Sequence, residues 1–184
     1  MIRKLLLLGA TAFLSLLTCA QRTYPPASVL ASGAWYKLSV EDEGIYRIDL
    51  PLLSSLGITG SIPSAQVRLF GNGGAPLPEA NAAPRPSDLQ ENAIFVADGG
   101  DGILNGSDYI LFYARGPHQW IKDSLNRRFR HQKNIYSDKA YYFLTIGGNG
   151  LRVPQATAVG GGAGSVTSFS ERYFHELDTV NFLS

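Results

Sequence analysis

The chain has 184 residues, 45% apolar and 17% charged, with a formal net charge of +1. That length holds one ordinary domain with a real core, or one domain and the start of another, and the balance is that of a folded chain rather than a disordered one. Near-neutrality argues against electrostatic capture of nucleic acid, and one cysteine, Cys19, excludes an internal disulfide.

Residues 1–20 predict a secretory signal peptide. Arg3 and Lys4 form a basic start, Leu5 to Leu17 an apolar run, and Thr18-Cys19-Ala20 a small-residue end suited to cleavage after Ala20. The run falls short of the roughly 20 residues a spanning helix needs. Leu16-Leu17-Thr18-Cys19 also resembles a bacterial lipobox, with Thr18 where Gly, Ala or Ser is usual, so lipidation at Cys19 is the alternative. Cleavage removes Arg3 and Lys4 from the 16 basic residues and leaves 14 against 15 acidic ones, a net charge of −1. It also removes the sole thiol, and with it any thiolate nucleophile, metal ligand or redox pair.

Residues 21–34, rich in Pro, Ala and Ser, predict a loosely packed lead-in arm, and a β-rich domain is expected over 35–153. "WYKLSV" and "IYRID", separated by "EDEG", predict a β-hairpin. "DLPLLSSLGI" predicts a helix of about two turns, with Asp49 as N-cap, Pro51 in the first turn and Gly57 at the end. "QVRLFG" is the next strand, "NGGAPLP" its turn, and 79–92 a long polar connection. "AIFVA", "DYILFYA" and "AYYFLTIGG" predict strands. "DYILFYA" is apolar on both faces, which predicts a central strand covered on both sides.

Residues 119–138, polar and basic with isolated aromatics, predict an excursion from the sheet. Residues 154–165 have the composition of a Gly-rich linker, and 166–184 read as the start of a following segment. Val180, Phe182 and Leu183 have little chain after them to pack against, which suggests a piece of a longer protein. Short strands, Gly and Pro punctuation and no βαβ alternation predict a mostly-β fold, an antiparallel β-sandwich or barrel-like domain with one short helix.

The segment "ADGGDGILNGSD" carries the densest candidate chemistry. An EF-hand register with Gly102 at position 6 puts Asp101 at 5 and Asp108 at 12, but Ala97 at 1 and Gly99 at 3, so half the charged ligands are missing. Two readings stay open: Asp and Gly serving turn geometry, or a non-EF calcium site on Asp98, Asp101 and Asp108 completed by backbone carbonyls. His118, His131 and His175 are scattered, with no HExxH, and no GxSxG, Walker A or GxGxxG occurs. "RRFRHQK" is either a solvated basic loop or a grip for an anionic glycan or lipid headgroup. Trp35, Trp120, Tyr141 and Tyr142 offer either a sugar-stacking platform or β core.

Read in order, "WYKLSVEDEGIYRIDLPLLSSLGI", "VRLFGNGGAPLPEAN", "RPSDLQENAIFVADGGDGILNGSDYILFYARGPHQW" and "FRHQKNIYSDKAYYFLTIGG" resemble the amino-terminal region of the type IX secretion system sortases of Bacteroidota, the PorU-type, gingipain-like cysteine peptidases. The resemblance runs from about Trp35 to Gly148 and continues more weakly through "ERYFHELDTVNFL". It implies a larger cell-surface protein in which this non-catalytic β region precedes a cysteine peptidase domain. A further β domain would dock on an outer-membrane barrel partner. It also implies export through the periplasm to the outer-membrane surface, removal of cargo sorting signals, and joining of cargo to anionic lipopolysaccharide. The family's catalytic Cys and His have no counterpart here, so no catalytic residue is assigned. "DSL" at 123–125 and "DTV" at 178–180 also resemble the O-glycosylation pattern of that phylum.

The expected role is therefore a non-catalytic domain that meets its own peptidase portion and other export components, with no nucleic acid and no required cofactor. The alternative is an autonomous glycan- or calcium-binding module. An independent enzyme ranks third, since nothing in the sequence places two carboxylates together.

Overall fold

The computed structural model describes residues 24–155 and Ser168. The leader, most of the Gly-rich linker and the segment beyond it lie outside the described residues. Eleven strands follow in order: β1 (Tyr36–Val40), β2 (Gly44–Asp49), β3 (Ile62–Pro63), β4 (Val67–Phe70), β5 (Glu91–Asn92), β6 (Phe95–Ala97), β7 (Ile103–Leu104), β8 (Tyr109–Ala114), β9 (Gln119–Asp123), β10 (Arg128–Gln132) and β11 (Ala140–Ile146), with helix α1 (Leu50–Ser55) after β2. The strands form antiparallel sheets in the orders β1-β11-β4-β5, β2-β8-β6, β3-β7 and β9-β10. The fold is mostly β with one short helix, as the sequence predicts, and no closed barrel forms among the described residues.

The two larger sheets share one core. Val40, Leu69, Tyr142 and Leu144 from one meet Ile48, Ile110, Phe112 and Ala114 from the other, with Leu53 of α1 and Ile58 closing one end. The rings of Phe112 and Tyr142 lie 5.3 Å apart across the interior. This facing arrangement is a β-sandwich, in which each strand contributes alternate residues to the common interior.

The predicted hairpin of β1 and β2 does not form. β1 pairs with β11, from Tyr36 opposite Leu144 to Val40 opposite Ala140, while β2 pairs with β8, from Gly44 opposite Ala114 to Asp49 opposite Tyr109. The link Glu41–Glu43 therefore crosses between sheets. Each strand buries its own apolar stripe, ending in Val40 and Ile48, against the same core from opposite sides, and a local hairpin would put both on one sheet. The crossing backbone is wedged by Gly116, where a Cβ would fall 2.8 Å from Asp42 C and 2.9 Å from Glu43 N.

Helix α1 forms as expected. The Asp49 carboxylate accepts from Leu52 N–H at 3.1 Å, Pro51 occupies the first turn, and Gly57 leaves the helix at φ +83°. β8 is central, but only Ile110, Phe112 and Ala114 are buried. On its other face Tyr109 and Leu111 are half-buried and Tyr113 is exposed, so coverage on both sides is corrected to coverage on one.

Residues 119–132 do leave the main sheets, but as a regular hairpin. Its turn uses Asp123, which accepts from Asn126 N–H at 3.1 Å and Asn126 Nδ2 at 2.8 Å, and Arg127 at φ +50°. At the amino-terminal side, Ser28 Oγ and Val29 N–H donate to the Asp88 carboxylate at 2.8 and 2.6 Å and attach the exposed arm to the long connection. At the other end Ile94 and Leu151–Val153 form a short parallel bridge beside β6.

Candidate functional site

The Asp98–Asp108 segment joins β6 to β8 through β7. Its backbone reverses at Gly99, Gly100, Gly102 and Gly106, all with positive φ, where a side chain would be strained. Asp98 accepts from Ser64 Oγ and, at 3.0 Å, from Gly100 N–H. These bonds, the Ser64 hydroxyl first, hold its pKa below the ordinary carboxylate value. Asp101 accepts from Ile103 N–H and from Asn105 Nδ2, both at 2.9 Å. Asp108 accepts from Asn105 N–H at 2.8 Å. Each carboxylate thus closes a local turn over two to four residues or ties it to Ser64. No group of three or more His, Cys, Asp or Glu side chains suited to a metal assembles among the described residues.

The other candidates are dispersed. Tyr142 is buried core, Trp35 packs edge-on to Phe70 at 5.2 Å, Tyr141 lies under Lys37 Nζ at 3.7 Å, and Trp120 belongs to the β9–β10 hairpin. These four do not make a shared sugar platform. His118 and His131, far apart in sequence, do meet, with ring centroids 6.0 Å apart, and Trp120 lies 5.1 Å from His131. His118 Nδ1 accepts from Asn134 N–H at 3.0 Å, which gives it a structural task at the hairpin base. His175 lies outside the described residues.

A cleft of 370 Å³ opens between the 71–73 turn and the end of β8, lined by Asn72, Gly73, Gln90, Asn92, Arg115 and Tyr142 among others. Its amides serve the backbone: Asn72 donates to Asp88 O at 3.1 Å and accepts from Gln90 N–H at 2.9 Å, and Asn92 donates to Gly71 O at 2.9 Å. Nothing in it pairs a nucleophile with a base.

The outer face of β2-β8-β6 is an apolar surface, and its β8 portion is the face that the sequence predicts to be covered. On the outer face of β2-β8-β6, Ile45 stands opposite Tyr113 in one cross-strand row, and Leu111 lies between Arg47 and Phe95 in the next row on that face. Ile45 is 74% exposed, Tyr113 53% and Phe95 47%. Glu43 caps the Tyr113 hydroxyl and Arg47 lies 4.4 Å over the Tyr109 ring, so the apolar face has a polar rim. Contiguous exposed apolar area rimmed by polar groups is the signature of an interaction surface.

No protein-family model and no curated protein matches the chain. Among solved structures, it is similar to a crystal structure of dimeric latent PorU from Porphyromonas gingivalis, with a TM-score of 0.52 and 33% sequence identity over 74% of this chain. The match covers 11% of that much longer chain. The described residues thus form a β domain related to part of PorU.

Proposed function

We propose that this chain is the non-catalytic N-terminal β domain of a type IX secretion system sortase. It presents the outer face of β2-β8-β6 to the peptidase portion of its parent, or to a neighbouring component such as the outer-membrane barrel, and holds them in register. The observation that carries this reading is the likeness to PorU at 33% identity over 74% of the chain. Two further features support it. The only cysteine is Cys19, inside the expected leader, so thiol chemistry would have to come from elsewhere. The β8 sequence is apolar on both faces, yet one face lies open, as expected of a domain cut from its neighbour. The parent activity this implies is removal of C-terminal sorting signals and transfer of cargo to anionic lipopolysaccharide at the cell surface.

The test is made in the producing bacterium with Ile45→Glu and Phe95→Glu combined in the chromosomal gene. Both side chains already face water, so the protein should accumulate while secreted cargo keeps its sorting signals. Normal cargo processing beside normal accumulation would overturn the reading. So would a reading frame with no gingipain-like peptidase domain after this region.

A further inference from the structure

The β9–β10 hairpin differs in chemistry from the rest of the domain. Residues 119–133 carry Lys122, Arg127, Arg128, Arg130 and Lys133 against one acid, Asp123, in a chain whose formal net charge is +1. Asp123 pairs with Arg128 Nε at 3.4 Å, and Lys122, Arg127 and Arg130 are further cations of the hairpin. The pairing puts Phe129 opposite Lys122 and His131 opposite Trp120, so these four side chains share one face. Arg128 and Arg130 take the other face.

At the apex Leu125 is 91% exposed, while Trp120 and Phe129 behind it are 37% and 41% exposed. The mount is firm. Buried Asn134 donates to Gly74 O at 2.7 Å, its N–H donates to His118 Nδ1, and its Oδ1 accepts from Tyr136 N–H at 2.8 Å. Leu125 is the apolar residue of a turn that also holds Ser124, Asn126 and Arg127, with Phe129 and Trp120 along one face of the ribbon below it. Among the described residues no helix is long and apolar enough to cross a membrane. An exposed leucine in a turn with basic and aromatic groups beside it suits a bilayer surface, where the apolar side chain reaches the acyl boundary while cations meet headgroup phosphates.

We propose that the β9–β10 hairpin is a membrane-surface finger that seats Leu125 at the acyl boundary of an anionic bilayer. Trp120 and Phe129 then lie at headgroup level, and Lys122, Arg127, Arg128 and Arg130 face lipid phosphates. The apex leucine selects a bilayer over a soluble polyanion, which would use the cations and gain nothing from Leu125.

The test uses residues 21–184, freed of the apolar leader. Vesicles are phosphatidylcholine alone, or phosphatidylcholine mixed with phosphatidylglycerol. Co-sedimentation is expected only with the mixed vesicles, and should weaken with added salt. In a Trp35→Phe background, which leaves Trp120 as the sole tryptophan, emission should shift to the blue on binding. Since each basic residue near an anionic surface contributes roughly a fivefold factor, Arg130→Glu should weaken binding by at least about tenfold. Leu125→Asp should weaken it similarly, with the melting temperature of both variants unchanged. Absence of vesicle binding overturns the proposal, as does binding that ignores Leu125→Asp. Binding to soluble dextran sulfate with no vesicle binding overturns it too, by assigning the hairpin to a soluble polyanion. Co-sedimentation of the unsubstituted chain keeps the test decisive if Trp35→Phe fails to fold.

Discussion

The hydroxyl of Tyr142 accepts a hydrogen bond from the Arg115 N–H at 2.7 Å and donates one to the Arg115 carbonyl at 3.2 Å. Tyr142 lies in β11 and Arg115 directly follows β8, so one side chain ties the two sheets of the sandwich at the end of their common core. The ring is buried against Phe112, and burial raises the phenol's pKa, partly opposed by the Arg115 backbone bond. Tyr142→Phe keeps the ring and orphans a backbone donor and acceptor, so it should cost about 1–3 kcal/mol, read as a lower urea midpoint with unchanged slope. A raised folded pKa means this stabilisation is complete below the unfolded phenol's value near pH 10 and declines as pH rises through the folded one. The variant should therefore lose less stability than the parent under alkaline conditions.

The closeness of the sheets also limits Gly71 and Gly116. A Cβ on Gly71 would overlap the Tyr142 ring, and one on Gly116 would press into the backbone that crosses from β1 to β2. Neither position has a positive φ, so the demand is for space rather than conformation. Gly116→Ala meets main chain that cannot rotate away. It should cost about 1–3 kcal/mol and slow refolding, because the crossing replaces a local hairpin with contacts distant in sequence. Stopped-flow refolding of Gly116→Ala beside Gly99→Ala separates steric crowding from φ strain, since a Cβ on Gly99 meets nothing within 4 Å.

Much of this sandwich is legible in the sequence. β4, β6, β8 and β11 read directly because their apolar runs are bounded by Gly, Pro or Asp, and α1 reads because cap, proline and terminal glycine agree. Partnership is where reading stops. "WYKLSV" and "IYRID" carry every local sign of a hairpin, yet longer ladders with β11 and β8 win, because only the two-sheet arrangement places Val40 and Ile48 on either side of one core. The outer face of β8 misleads for the opposite reason: apolarity shows that a surface prefers cover but not whether the cover lies in the same domain. The basic excursion at 119–132 hides its hairpin because Trp120, Phe129 and the arginines alternate without an apolar stripe to mark a buried side.

Arg68 and Glu91 join β4 to β5, with Arg68 Nε to Glu91 Oε1 at 3.2 Å and Nη2 to Oε2 at 2.6 Å. Glu91 Oε1 also accepts from Leu151 N–H at 2.9 Å, which fastens the last described segment to the sheet edge. The Arg68 hydrogen bond, opposed by burial and helped by Leu151, holds the Glu91 carboxyl below its usual pKa. Because the folded pKa is lowered, the stabilisation is present above the unfolded glutamate value near 4.3 and is lost as pH falls through the folded one. Glu91→Gln should be less stable by about 1–2 kcal/mol at neutral pH. Urea unfolding curves of variant and parent should converge as pH falls below about 4. A gap independent of pH would mean that the side chain acts through packing alone.

The Asp98–Asp108 turn admits the most direct test, because its two readings predict opposite responses to one reagent. Asp101 closes the turn twice, on Ile103 N–H and on Asn105 Nδ2, and Asp108 holds Asn105 N–H, so on the turn reading these bonds specify the path from β7 into β8. Asp101→Ala should then lower the melting temperature by about 2–5 °C in calcium and in chelator alike, with the parent's melting temperature indifferent to calcium. Asp101→Asn keeps an acceptor for Ile103 N–H and should recover most of the loss. A carboxylate that served a cation would behave otherwise: calcium would raise the parent's melting temperature, and Asp101→Asn would forfeit that rise as fully as Asp101→Ala, because an amide oxygen repeats the turn bond but not the charge.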